Sequence, residues 1–341
     1  MKLCARFAGL KITGKGYCLV DKIYVLMSSY NGRKYIREQL DSIMAQDCQE
    51  TGVASLFLFV RDDGSADGTQ KILEQYSGKY PGRIKWFQGN NKGVIQSFFE
   101  LMANAGGADY YALADQDDYW MPSKISTGIK KLKQMEQDGS GKNTGTGSIP
   151  LLYCCRPLLA DERLNPLSVH VDNPEMKPGF GNALIENIVT GCTAVFNDSL
   201  RRMVSGHIPE HATMHDRWMY LAATCFGDIY YDETPYIYYR QHSGNAVGKN
   251  TGRLAELKYR INKFKKDNQS SSRQALEFLR IFKTELENRQ DLQEKEKLLK
   301  LFIKGKKSSS ARKKLVNSGR IYRQRSLDNK IFKILVRINF Y

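Results

Sequence analysis

The sequence contains no long apolar run. None of its 341 residues falls in a stretch approaching the roughly 20 consecutive apolar residues that a membrane-spanning helix requires. The opening residues, MKLCARFAGLKITGKGYCLV, also lack the unbroken apolar core and the cleavage site of a secretory signal. The sequence therefore predicts a cytoplasmic protein without a membrane span.

Cysteine is sparse and irregularly placed, and acids are nearly missing from the C-terminal part. The seven cysteines form no CxxC pair, which argues against a disulfide framework and against a zinc site. Residues 301–341 contain twelve lysines and arginines against one acid, Asp328, and so carry +11 of the formal net charge of +16. The rest of the chain is nearly balanced in charge.

From residue 23 onward, short apolar runs alternate with segments of helical period, which is the pattern of a βαβ protein. The predicted strands are Ile23–Met27, Leu56–Val60, Ile84–Phe87, Tyr110–Ala114, Leu151–Cys155, Thr193–Phe196, Ile229–Tyr231 and Tyr236–Arg240. Beyond about residue 252 the sequence is rich in Lys, Glu and Leu at helical spacing and lacks strand signals. An α/β domain followed by a helical region is therefore expected.

Polar clusters follow three of these strands. They are Ser28–Gly32, Asp62–Ser65 and Asp115–Asp118. Ligands of open parallel sheets bind outside the carboxyl ends of the strands, so the three clusters should lie at one edge of the sheet.

The cluster Asp115, Asp117 and Asp118 concentrates carboxylates in four positions. Such groups repel one another unless a cation lies between them, and sites built from oxygen ligands suit Mn²⁺ or Mg²⁺. A cation held there could neutralise a diphosphate. The alternative interpretation is a solvated loop that caps a helix.

Four motifs in a fixed order carry a family resemblance: Ser28–Gly32, Asp62–Thr69, Asn91–Gly93 and Asp115–Trp120. Over roughly residues 23 to 245 the chain resembles the inverting glycosyltransferases of family 2, and DQDD followed by two aromatic residues resembles the bacterial rhamnosyltransferase branch. The resemblance implies a GT-A fold, a Rossmann-like α/β fold whose mostly parallel central sheet is flanked by helices, here with a C-terminal helical extension.

The resemblance also implies a division of the chain and a reaction. Residues 1–22 would be an extension of unknown role, residues 23–250 the GT-A domain and residues 251–341 a basic helical region. The expected reaction is a single inverting displacement that moves a sugar from a nucleotide-diphosphate donor, with dTDP-rhamnose favoured, to a hydroxyl of a saccharide acceptor in cell-surface polysaccharide synthesis.

Donor-side roles follow from the resemblance, residue by residue. Asp63 would contact the base, and Asp115 would face the ribose and diphosphate. Asp117 matches the metal-binding acid of the family, and His242 the histidine that reaches the metal, which would be Mn²⁺ or Mg²⁺. Including Lys92, which is equally well explained as an exposed turn lysine, the expected nucleotide-sugar-binding residues are Ser28, Tyr30, Asn31, Asp63, Lys92 and Asp115.

The segment MHDRWMYLAA supplies a candidate catalytic base. An inverting transferase needs a base within hydrogen-bond reach of the acceptor hydroxyl. The family uses an acid at the start of a helix, and Asp216 occupies the corresponding place here, with His215 where the family often has Glu. Asp216 is therefore the expected base, and the alternative is that it only caps the helix.

The basic C-terminal region has two interpretations. Ile331, Ile334, Leu335 and Ile338 lie at helical spacing among lysines and arginines, as in a helix that rests on an anionic membrane. Such docking would place the protein at the inner face of the cell membrane, where a lipid-linked acceptor would lie. The same stripe could instead pack on the catalytic domain.

Two other classes of function remain open. A nucleotidyltransferase is also an α/β enzyme with acids on a metal, but Ser28–Gly32 is not the Gly-rich basic phosphate loop expected of one. A non-catalytic membrane or polyanion adaptor would depend on the basic C-terminal region alone. No nucleic-acid partner is expected, because that region lacks a recognised nucleic-acid-binding motif.

Overall fold

The structure is a computed structural model that describes residues 10–13, 16–138, 148–167, 175–242 and 271–341. The strands are β1 (Leu10–Thr13), β2 (Gly16–Leu19), β3 (Asp21–Ser29), β4 (Ala54–Asp62), β5 (Ile84–Gln88), β6 (Tyr110–Ala114), β7 (Tyr119–Trp120), β8 (Leu151–Cys155), β9 (Leu158–Ala160), β10 (Val195–Asn197), β11 (Asp228–Asp232) and β12 (Ile237–Arg240). The helices are α1 (Ile36–Met44), α2 (Thr69–Lys79), α3 (Gly93–Asn104), α4 (Lys124–Gln137), α5 (Phe180–Ala183), α6 (Asp198–Ser205), α7 (His215–Phe226), α8 (271–281), α9 (Lys283–Asn288), α10 (Gln293–Gly305), α11 (Ser309–Asn317) and α12 (Ser326–Arg337).

A seven-stranded, mostly parallel sheet forms the centre, in the order β11-β8-β10-β6-β3-β4-β5. Strand β3 pairs in parallel with β4 and β6, and β4 with β5. Strand β10 runs antiparallel to both of its neighbours, β6 and β8. The predicted α/β fold with a mostly parallel central sheet is confirmed.

The predicted strands are all present, most of them with ends shifted by one or two residues. One difference in conformation is at Thr193, which was predicted to begin a strand. Residues Gly191–Thr193 instead form a 3-10 turn, and β10 begins at Val195. Strands β1 and β2, within the N-terminal extension, form an antiparallel hairpin.

Both faces of the sheet are buried, as a parallel sheet between helices requires. Consecutive residues of β3 alternate between the two cores: Val25 joins the core under α1, α2 and α4, whereas Leu26 joins the core under α3 and α7. This alternation follows from the two-residue period of a strand.

The C-terminal helices share the second core. Phe278 of α8 lies 5.4 Å from the ring of Trp218 in α7, and Phe282 lies 5.0 Å from the ring of Phe226. At the end of the chain, the Tyr341 ring lies 5.2 Å from Phe302. The described part of residues 251–341 therefore packs directly on the α/β domain. No helix in the described ranges is long and apolar enough to cross a membrane.

Gly181 lies where the C-terminal region meets the α/β domain. A Cβ at this position would lie 1.7 Å from the carbonyl oxygen of Arg320. We expect Gly181→Ala to lower the free energy of unfolding by about 1–3 kcal/mol, because backbone would have to move. Gly78→Ala in α2, where a Cβ would meet nothing within 4 Å, is the matched control and should be neutral or stabilising. Urea unfolding of both variants tests this, and equal stabilities would contradict it.

Candidate functional site

The polar clusters converge on a cavity of about 320 Å³ at the carboxyl edge of β3, β4 and β6. Its lining residues are Ser28, Tyr30, Asp63, Asn91, Gly93, Val94, Asp115, Gln116, Asp117 and Tyr239. Five of the eight residues predicted to bind donor or metal are among them, whereas Asn31, Lys92 and His242 are not. The predicted meeting of three loops at one sheet edge is confirmed.

Gln116 fixes the first loop. Its side-chain amide accepts a hydrogen bond from the Tyr30 N–H at 2.8 Å and donates one to the Tyr30 carbonyl at 3.0 Å. A Cβ at Gly32 would lie 2.2 Å from Gln116 Oε1, so the glycine gives this amide room. The Tyr30 side chain is 47% exposed. The amide therefore holds the Tyr30 backbone while the ring stays available at the cavity.

Asn31 connects two loops rather than lining the cavity. Its N–H donates to Ser65 Oγ at 2.9 Å, and its Oδ1 accepts from the Ala66 N–H at 2.9 Å. Its backbone φ of 50° lies in the left-handed region, which Asn tolerates better than most residues. Asn31 thus ties the Ser28–Gly32 loop to the loop after β4.

Asp63 is buried and already well bonded. Its carboxylate forms an ion pair with Arg61 and accepts from the N–H groups of Lys92 at 3.0 Å and Gly93 at 2.9 Å. A carboxylate at these N–H groups stabilises the start of α3. The Lys92 ammonium pairs with Glu100 at 2.5 Å. Asp63 therefore shapes the cavity wall, and the described position of Lys92 is beside Glu100.

The acids after β6 differ in their surroundings. Burial, then the charges of Asp117 and Asp216, raise the pKa of Asp115 to about 7. Asp118 is fully buried, and burial raises its pKa well above the usual range. The Arg240 N–H donates to Asp118 Oδ1 at 3.1 Å, but Asp118 Oδ2 has no hydrogen-bond partner within the described part of the chain.

Two sets of side chains could hold a cation. Asp117 Oδ2 lies 2.8 Å from His242 Nε2, and the His242 ring stacks on Tyr35 at 5.0 Å. A second set consists of Asp115, Asp118 and Cys192, whose ligand atoms lie within 4.8 Å of one another. Both sets fit a divalent cation by their donor atoms: the first offers oxygen and nitrogen, the second oxygen and sulfur.

A small sheet brings His242 to the acids. Its strands have the order β7-β12-β9, and Ile237 of β12 lies opposite Trp120 of β7. At the end of β12, Arg240 donates from Nε to the carbonyl of Asp117 at 2.7 Å. The chain therefore reaches His242 directly beside the loop that carries Asp117.

Asp216 is held at the start of α7 by three donors. Its carboxylate accepts from the Gly191 N–H at 3.0 Å, the Asn187 side-chain amide at 3.0 Å and the Arg217 N–H at 2.6 Å. Burial nevertheless raises its pKa to about 6. Its charge is one cause of the raised pKa of Asp115, so the two carboxyl groups lie close enough to interact.

His215 does not hydrogen-bond to Asp216. Its ring stacks on Phe98 at 4.1 Å, and neither ring nitrogen has a hydrogen-bond partner among the residues described. Burial lowers the pKa of His215 to about 3, so the ring is neutral near pH 7. A Cβ at residue 191 would lie 2.8 Å from His215 Nε2, which explains the glycine there.

The fold and the site together define a class of protein. A mostly parallel sheet carries an acid-lined cavity at its carboxyl edge, and a buried carboxylate at a helix start interacts with Asp115, one of these acids. Ligand binding at this edge is the general rule for open α/β sheets. The arrangement is that of a GT-A-type α/β transferase.

Comparison with known proteins identifies what the chain is similar to. Residues 24–145 match the family model "Glycosyl transferase family 2". The chain is 28% identical over 243 residues to the dTDP-rhamnosyl transferase RfbG of Shigella flexneri, covering 68% of this chain and 77% of that protein. It is 22% identical over 237 residues to an uncharacterized glycosyltransferase of Rickettsia typhi, with 69% and 68% covered. Residues 24–145, about a third of the chain, therefore match glycosyltransferase family 2.

A solved structure supports the fold independently. The crystal structure of S. aureus TarS 1–349 in complex with UDP-GlcNAc aligns with a TM-score of 0.50 at 16% identity, covering 94% of this chain and 89% of that one. At this identity the similarity establishes the fold alone. It extends over the C-terminal helices as well as the sheet.

Proposed function

We propose that the protein is an inverting glycosyltransferase that moves rhamnose from dTDP-rhamnose to a hydroxyl of a saccharide acceptor in cell-surface polysaccharide synthesis. The observation that carries the reaction type is the position of Asp216 beside the acids that follow β6: its carboxylate accepts from the Gly191 N–H, and the next side chain, Cys192, lies with Asp115 and Asp118. The similarity to a dTDP-rhamnosyl transferase supports the choice of donor.

The nucleotide would bind in the cavity at the sheet edge. Ser28, Tyr30 and Asp63 all line this cavity. The Tyr30 ring offers an exposed aromatic face to a base, and a carboxylate such as Asp63 can accept the imide N–H of thymine or uracil. Asp115 would face the ribose and diphosphate. Asn31 and Lys92 would act through the loops that they hold.

Gln116 provides a test of this donor site. We expect Gln116→Ala to weaken donor binding by about tenfold with little change in kcat, because two hydrogen bonds to the Tyr30 backbone would be lost. Calorimetric titration of the donor measures the effect. Gln75→Ala is the control, since that amide contacts only Arg37 among its described hydrogen bonds. Equal donor affinity in both variants would contradict the role of Gln116.

A divalent cation, Mn²⁺ or Mg²⁺, would be held by Asp117 and His242 and would neutralise charge that develops on the leaving diphosphate. The contact between Asp117 and His242 supports this pair of ligands. Burial, and then the like charge of Asp117, raise the pKa of Asp115, so the site disfavours full ionisation of its acids unless a cation lies among them.

Asp216 would act as the base. Its carboxylate takes the proton of the acceptor hydroxyl as the acceptor oxygen bonds to the anomeric carbon. The bond from that carbon to the diphosphate oxygen breaks, and the nucleoside diphosphate leaves with the electron pair. Because the attack comes from the face opposite the leaving group, the anomeric configuration inverts.

Nucleotide release from purified protein tests the proposal. A panel of UDP-, GDP- and dTDP-sugars would be compared with Mn²⁺, with Mg²⁺ and with EDTA. We expect cation-dependent release of dTDP from dTDP-rhamnose and little release from the others. Release from a different donor would overturn the donor assignment. If no donor turns over without acceptor, calorimetry decides: absence of cation-dependent binding of every donor would overturn the proposed function.

We also propose that the protein acts at the inner face of the cell membrane, on a saccharide carried by a lipid. The net charge of +11 in residues 301–341 supports attraction to anionic lipids. Such attraction would bring the cavity to its acceptor.

A further inference from the structure

Helix α12 has two apolar faces. The inner face is formed by Phe332 and Val336, which are buried in the core that contains α7, and by Leu335, which is also buried. The sequence predicted a single stripe of Ile331, Ile334, Leu335 and Ile338. That prediction was wrong in its grouping, because the structure buries Leu335 with the inner face and leaves Ile334 and Ile338 outside.

The outer face is exposed. Leu327 is 59% exposed, Ile334 58% and Ile338, directly after the last residue of α12, 60%. A helix turns about 100° per residue, so positions separated by seven and four residues fall on one side. We call Leu327, Ile334 and Ile338 the outer apolar stripe. Phe340, after the helix, is also 47% exposed.

Basic side chains border this stripe. Lys330 and Arg337 are exposed, and at about 100° per residue they lie within about 60° of Ile334, on one flank of the stripe. Lys333 is partly exposed farther around the helix. An apolar stripe bordered by lysine and arginine is the arrangement of a helix that lies in a lipid interface.

Charge decides between possible occupants of the stripe. In a symmetric dimer through this face, Lys330 and Arg337 of one copy would meet the same residues of the other, and like charges would oppose the contact. An anionic lipid surface offers the complementary charge together with apolar acyl chains. The observations therefore favour a lipid surface as the partner.

We propose that the outer apolar stripe docks on an anionic lipid bilayer, with Leu327, Ile334 and Ile338 entering the acyl boundary and Lys330 and Arg337 among the headgroups. The inner face meanwhile keeps α12 attached to the catalytic domain. Only the purpose of this docking, which is to bring the enzyme to a lipid-linked acceptor, rests on the proposed function.

Vesicle cosedimentation of the full chain tests the proposal. The probes are vesicles of equal parts phosphatidylglycerol and phosphatidylcholine, and vesicles of phosphatidylcholine alone. We expect the wild type to pellet only with the anionic vesicles. Ile334→Glu combined with Ile338→Glu should reduce the partition coefficient at least about tenfold, since both apolar insertions are lost and negative charge is added. Lys330→Glu combined with Arg337→Glu should do the same and should lower the salt sensitivity of the remaining binding.

Matched controls separate the helix face from general effects. Ile208→Glu places the same charge at an exposed isoleucine in the loop between α6 and α7. Lys71→Glu with Lys130→Glu reverses two exposed charges in α2 and α4. Both controls should bind vesicles within about twofold of the wild type. Donor binding, measured by calorimetry, should be unchanged in all variants and shows that each is folded.

Three results would overturn the proposal. The first is failure of the wild type to bind anionic vesicles. The second is binding by the Ile334 and Ile338 double variant equal to that of the wild type. The third is a dimer in sedimentation velocity that this double variant dissociates while vesicle binding is unaffected, which would make the face a self-association surface. Because donor binding is measured separately, failure here is distinct from failure of the proposed transferase function.

Discussion

Asp216→Asn is expected to abolish glycosyl transfer while leaving donor binding intact. Asparagine has nearly the same shape as aspartate but cannot accept the proton of the acceptor hydroxyl. Loss of a general base lowers the rate by about 10²–10⁴-fold. Initial rates at saturating acceptor, together with calorimetry of donor binding, measure the two effects. Full transfer by this variant at saturating acceptor would exclude Asp216 as the base.

The pH dependence of the transfer rate gives a second test of Asp216. A base must be ionised, and burial raises the pKa of Asp216 to about 6. The rate should therefore fall as the pH drops through about 6, because the protonated form accumulates. Asn187→Ala removes a hydrogen bond that lowers this pKa, so its acidic limb should move to higher pH with the plateau rate largely kept. A pH profile identical to that of the wild type would show that Asn187 does not influence the pKa of Asp216.

Asp117→Ala is expected to remove cation-dependent turnover of the donor. The substitution deletes the carboxylate that contacts His242, and with it the proposed main anchor for the cation. We expect a loss of about 10²–10³-fold, as for other groups that stabilise developing charge. Binding of Mn²⁺ followed by electron paramagnetic resonance gives a readout independent of turnover.

Two control variants sharpen this experiment. Asp228→Ala removes an exposed acid on the edge strand β11 and should leave both cation binding and turnover unchanged. Cys192→Ser alters the second possible ligand set without changing charge in the neutral state. If Cys192→Ser loses Mn²⁺ binding and Asp117→Ala retains it, the ligands of the cation are Asp115, Asp118 and Cys192 instead.

The central sheet and its polar edge were predictable from sequence for a physical reason. Strands such as Tyr110–Ala114 are buried on both faces and therefore appear as short continuous apolar runs. The loops that follow must be polar because they reach solvent and ligands at the strand ends. The pattern therefore indicates which loops meet, without any information on their side-chain contacts.

Contacts within the site were not predictable in the same way. Asn187 lies 29 positions before Asp216 in the chain, and nothing in the sequence around it distinguishes it from any other loop asparagine. Gln116 lies between Asp115 and Asp117, and its two hydrogen bonds to Tyr30 join residues that are 86 positions apart in the chain. For Gln116 the position inside DQDD was an available signal. For α12, helical period predicted an apolar face but not which residues a neighbouring core would cover.

The 3-10 turn Gly191–Thr193 contacts both Asp216 and the acids that follow β6. The Gly191 N–H holds Asp216, while the next side chain, Cys192, lies beside Asp115 and Asp118. One peptide unit thus separates the N–H that holds Asp216, the proposed base, from the side chain beside Asp115 and Asp118. An insertion in this turn is expected to disturb both contacts at once. Changes of acceptor specificity that keep this spacing are therefore expected from substitutions outside the turn.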